Sequence, residues 1–109
     1  MPYSASDIAK HILTLSNPEV GDIMSNLKLQ KLLYYVQGFH LAMHDGQPLF
    51  NEEVYAWQYG PVVPEVYQEY KHLGSSAIPV PENLELQIDK DATDLIKDCL
   101  LYTSPSPRD

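Results

Sequence analysis

The stretch "SNLKLQKLLYYVQGFHLAMHDG", residues 25–46, constrains this chain more than any other. Leu29, Leu32, Leu33, Val36, His40 and Met43 recur at three- and four-residue spacing, the period of one helix face. Leu27, Tyr34, Leu41 and Ala42 carry apolar surface around the sides, so the spacing predicts a central helix with other elements packed on more than one side. Ser25 is the expected N-cap and Asp45-Gly46 the stop. Leu29, Leu32, Leu33, Val36 and Met43 form its expected inner face.

The remaining elements are those that such a helix needs as neighbours. Ser4 followed by Asp7 opens a first helix over residues 5–16 with Ile8, Ile12 and Leu15 on one face, and "NPEVGD" breaks it. From Glu53 to Tyr59, Val54 and Ala56 alternate with Tyr55, Trp57 and Tyr59, the period of a strand. Gly60 permits a tight corner, and Pro61 and Pro64 suit the first turn of a helix continued by Val63, Val66, Tyr67, Tyr70 and Leu73 up to Gly74. Leu84, Leu86 and Ile88 alternate with polar residues as a second short strand, which pairs with the first in a small sheet. Asp91 and Asp94 start a last helix with Leu95, Ile96, Cys99 and Leu100 apolar. The expected fold is mainly α (α+β): a compact helical domain with a central amphipathic helix and a two-stranded sheet. Its domain covers residues 1–101. The end, "YTSPSPRD", is aperiodic and reads as an unstructured, non-native tail over residues 102–109 on a chain cut short.

Charge narrows the choice of partner. Residues 1–50 carry four acids and three bases, and residues 51–109 carry eleven acids and four bases. The second half is therefore strongly acidic, which repels a phosphate backbone and favours a basic protein partner. No apolar run approaches the ~20 residues that span a bilayer. The N-terminus lacks a secretory pattern and the single cysteine cannot form an internal disulfide, so the expected location is the cytoplasm.

Signs of catalysis are sparse. His40 and His44 have the four-residue spacing of paired metal ligands, but the residues between them are "LAM" and His40 falls in the apolar stripe. Cys99 sits among leucines, where a thiol acts as a small hydrophobe. The fragments Glu69–Lys71 and Asp89–Asp91 pair carboxylates with lysine as metal-dependent nucleases do, but in so acidic a chain they read as solvated charges. Dinucleotide, P-loop and α/β-hydrolase signatures are absent. The expectation is no enzyme, no cofactor and no metal.

The segment Leu27 to Lys71, "LKLQKLLYYVQGFHLAMHDGQPLFNEEVYAWQYGPVVPEVYQEYK", resembles the Panacea domain of SocA-like antitoxins and related phage-associated proteins. "KLQKLLYY", the "GQPLF" turn and "AWQYGPV" lie in the family's order. The resemblance extends more weakly over residues 5–101 and departs where the family continues its last helix. It implies an antitoxin that neutralises a toxin encoded beside it, by direct contact or as an adaptor to the ClpXP protease. Two other readings stay open. A DNA-binding regulator of a mobile element would use Lys28 and Lys31 on a recognition helix. A metal-dependent hydrolase or nuclease would depend on Glu65, Glu69 or His44.

Within the antitoxin reading, Leu29, Leu32, Leu33, Trp57, Gly60 and Pro61 are expected to be structural, with Trp57 buried against the next helix. Tyr67, Tyr70, Glu65 and Glu69 are the expected partner-binding residues, because tyrosine offers rigid apolar surface with a polar tip and the carboxylates suit a basic partner.

Overall fold

The computed structural model describes residues 3–15, 24–58, 60–74, 76–79, 88 and 90–102, the last four through their backbone. Its elements are α1 (Ala5–Leu15), α2 (Asn26–Met43), β1 (Tyr55–Trp57), β2 (Gly60–Val62), α3 (Pro64–Tyr70), a 3-10 turn (Lys71–Leu73) and α4 (Lys90–Tyr102). This is a mainly α architecture with a two-stranded antiparallel sheet.

α2 is the axis, with α1, α3, α4 and β2 all packed on it. It starts at Ser25, whose Oγ accepts the Lys28 amide at 3.3 Å. It ends as the DG signal requires: Asp45 takes φ 54°, Gly46 takes φ 83°, and the Gly46 amide donates back to the Leu41 carbonyl at 2.8 Å. Leu29, Leu32, Leu33 and Val36 are buried together with Ile8, Ile12 and Leu13 of α1, Val66 of α3 and Ile96 of α4. Fully burying one such side chain contributes about 1.5–3 kcal/mol. α1 opens with the Asp7 amide donating to Ser4 Oγ at 3.1 Å. The His11 ring, 3.2 Å from Thr93 Oγ1, links α1 to α4, and its pKa is lowered by burial and by the Lys97 charge.

Two glutamines on α2 hold the rest of the chain. Gln30 is fully buried: its Nε2 donates to Asn26 Oδ1 at 2.9 Å and its Oε1 accepts the Val63 amide at 2.8 Å, where α3 begins. Asn26 in turn donates to the Tyr67 carbonyl at 3.1 Å. One helical stretch further on, Gln37 Oε1 accepts the Leu49 amide at 2.7 Å and Gln37 Nε2 donates to the Phe50 carbonyl at 3.0 Å. The same segment forms a parallel bridge to Tyr3.

Several expectations need correction. Met43, assigned to the inner face, is 67% exposed. Burial on α2 stops at Val36, so periodicity identified the face without revealing how far the covering elements reach along it. Gly60 and Pro61 form a strand rather than the corner and first turn of a helix: Tyr55 pairs with Val62, Ala56 with Pro61 and Trp57 with Gly60. The partner of β1 is therefore the segment directly after it. Gly60 sits at φ 118°, a conformation that L side chains rarely adopt. The expected strand at residues 84–88 lies outside the described residues except for Ile88, as do the "NPEVGD" break and residues 103–109. β2, with Val62 buried, packs on α2, while all three residues of β1 are exposed.

Candidate protein-binding surface

Because β1 is held out by β2, its aromatic side chains lie at the surface. Trp57, expected to be buried, is 41% exposed and meets Tyr67 of α3 edge-on, with ring centroids 5.4 Å apart and planes at 72°. The ring does meet the next helix, as expected, but β2 packs on α2 with β1 outside it, so Trp57 stays at the surface. Tyr55 is also exposed, and its pKa is raised first by a hydrogen bond to Glu53, then by the charges of Glu53 and Glu65. Tyr55, Trp57 and Tyr67, edged by Glu65, thus form one aromatic surface with an acidic margin.

The four residues singled out on α3 divide between two sides. Glu65 is exposed in the first turn and Tyr67 is half-buried on the Trp57 side. Glu69 instead accepts from Ser6 Oγ at 2.7 Å, clasping α3 to α1. Tyr70 packs against the core, where burial, and secondarily Glu69, push its pKa up to about 12. A raised phenol pKa means that the folded state holds a proton that the unfolded chain releases near pH 10. The stability this contributes is fully present below pH 10 and lost as pH rises through about 12. Urea titrations over that window should show wild type losing stability more steeply than Tyr70→Phe. Equal slopes would show that Tyr70 is not the titrating group.

Along α2 and residues 48–54 lies an open groove of about 860 Å³. Tyr34, Tyr35, Phe39 and Leu41 supply its α2 wall, and Phe50 and Val54 continue the apolar surface. Glu52 and Glu53 close one side. Glu52 Oε2 accepts the Ala5 amide at 3.0 Å, capping α1 from a distance, whereas Glu52 Oε1 is buried with no donor among the described residues. The groove did not figure among the expected binding residues. Its one signal in the sequence is the apolar arc of α2, which is wider than one packed face needs.

The catalytic alternatives find little to build on. The His40 and His44 rings stack at 4.2 Å, and His40 Nδ1 lies 2.7 Å from the Gln47 carbonyl. Among the described residues no group of three or more His, Cys, Asp or Glu is placed to hold a metal ion. The Cys99 and Asp89 side chains lie outside the described residues. α2 packs against α1, α3 and α4; its bases are Lys28, partly buried, and Lys31, exposed, and its uncovered face carries Tyr34, Tyr35 and Phe39. No helix among the described residues is long and apolar enough to cross a membrane.

Comparison with known proteins gives a consistent assignment. Residues 29–104 match the family model described as antitoxin SocA-like, Panacea domain. Over 78 residues the chain is 41% identical to a curated protein, "Antitoxin SocA" of Caulobacter vibrioides (strain NA1000 / CB15N), an overlap of 71% of this chain and 41% of that protein. The chain therefore spans well under half the length of that relative. No solved structure matches it. With the matched residues covering α2 from Leu29 onward, the β1–β2 hairpin, α3 and α4, the chain belongs to the SocA-like antitoxin family, as a carrier of its Panacea domain.

Proposed function

We propose that this chain is the antitoxin of a toxin–antitoxin module and neutralises a cognate protein toxin by binding it. Its family supports the class, and the exposed Tyr55–Trp57–Tyr67 cluster carries the reading. Aromatic rings left at the surface beside carboxylates are the material of protein interfaces, where a few such residues supply most of the binding energy. The net charge of −8 favours a basic toxin and speeds its encounter. Binding of this kind needs neither cofactor nor catalysis, and it takes place in the cytoplasm.

Two modes of neutralisation fit: direct inhibition, and delivery of the bound toxin to the ClpXP protease. Co-expression with the small reading frame beside its gene tests both. Growth should be restored by this chain in cells that the toxin alone arrests. Rescue that persists without ClpXP would assign direct inhibition, and rescue that needs the protease would assign the adaptor role. Failure to bind or rescue against any neighbouring product would overturn the reading.

A further inference from the structure

The α2 groove is an apolar surface that the described elements leave uncovered. Tyr34, Tyr35 and Phe39 are 49%, 43% and 44% exposed, although they belong to the helix that organises the core. Rings of this size gain from burial roughly in proportion to the apolar area they remove from water. Its three α2 rings remain nearly half in solvent, so the groove is open along that wall. The described ionisable groups that line it, tyrosines apart, are Glu52 and Glu53, with no Lys, Arg or His. A second copy of this chain would bring the same carboxylates and another −8 charge against them, which charge repulsion opposes. The chemistry that fits is apolar and cationic at once.

We propose that the groove receives an apolar segment of the toxin that carries a lysine or arginine. The apolar side chains of that segment cover Tyr34, Tyr35 and Phe39, and its cation faces Glu53. Glu53 is exposed and makes the direct contact. Glu52, fixed by the Ala5 amide with its second oxygen lacking a donor among the described residues, adds negative field at the same wall. The groove thus forms a second contact region beside Tyr55, which directly follows Val54 of its lining in the chain. This inference rests on the antitoxin reading and adds the surface and the chemistry of the segment bound there.

A photoreactive phenylalanine placed at position 35, and separately at position 57, tests it with the purified product of the adjacent small reading frame as probe. Crosslinking from position 35 to a toxin peptide that contains Lys or Arg is the expected result. Glu53→Lys should keep the wild-type melting temperature yet weaken the complex by about tenfold, mainly through slower association, with Glu53→Gln between the two. Raising the salt concentration should narrow these differences as the charges are screened. Crosslinking to the toxin from position 57 alone would overturn the groove assignment and leave the antitoxin reading standing. Crosslinking from position 35 to a second copy of the chain would overturn it in favour of self-association. Absence of any complex with the wild-type chain would overturn both.

Discussion

Gln30→Ala should lower the stability of the fold by about 3 kcal/mol, more than most single substitutions in the chain. Gln30 is fully buried near the start of α2, and its two bonds reach Asn26 in the first turn and the amide of Val63 at the start of α3. Removing the side chain strands both partners away from water, and an orphaned buried donor or acceptor costs roughly 1–3 kcal/mol. The cavity adds to this. A domain held by about 5–15 kcal/mol feels such a loss directly. At ~4–8 °C per kcal/mol for a small domain, the melting temperature should fall by roughly 12–24 °C. Gln30→Leu separates the causes, because leucine refills most of the volume but satisfies neither partner. It should be nearly as damaging as alanine. A leucine variant with wild-type melting temperature would show that Gln30 contributes packing alone.

That residue also marks the boundary between what could and could not be read from the sequence. The helix positions of α1, α2 and α3 are legible because burial imposes the 3.6-residue period, and their ends because Ser25, Asp45-Gly46 and Gly74 have local conformational reasons to be there. Gln30 and Gln37 are polar letters inside an apolar stripe, and nothing local says that one bonds a backbone amide 33 residues away. The hairpin was hidden differently. β2 is three residues, two of them Gly and Pro, whose own tendencies indicate a turn; only pairing with β1 makes them a strand. Once β2 is taken for a corner, Trp57 is assigned to the interior, and the exposed aromatic cluster cannot be seen. The expected neighbours of α2 on more than one side are present as α1, α3, α4 and β2. The groove was obscured because a wide apolar arc does not say which part stays uncovered, and here Tyr34, Tyr35, Phe39 and Leu41 meet solvent among the described residues.

The consequence is sharpest at Trp57, where fold and function exchange roles. Were the ring buried, its truncation would cost about 3–5 kcal/mol. It is instead 41% exposed, and its one described ring contact is the edge-on meeting with Tyr67, a geometry worth about 0.5–1.5 kcal/mol beyond area. Trp57→Ala should therefore keep a melting temperature within a few degrees of wild type, as ~1 kcal/mol corresponds to ~4–8 °C. Its effect on toxin binding should be much larger. A tryptophan at the centre of an interface costs about 2 kcal/mol or more when truncated, roughly thirtyfold in affinity. Tyr70→Ala gives the opposite pattern, because Tyr70 packs against the core. It should lose several degrees of melting temperature, while the surviving folded fraction binds the toxin at close to wild-type affinity. Melting and titration of the two variants in parallel decide the matter. If Trp57→Ala unfolds readily, or binds as tightly as wild type, the hairpin is a structural element and the toxin is held elsewhere; if Tyr70→Ala loses the toxin while remaining folded, α3 presents its inner side to the partner after all.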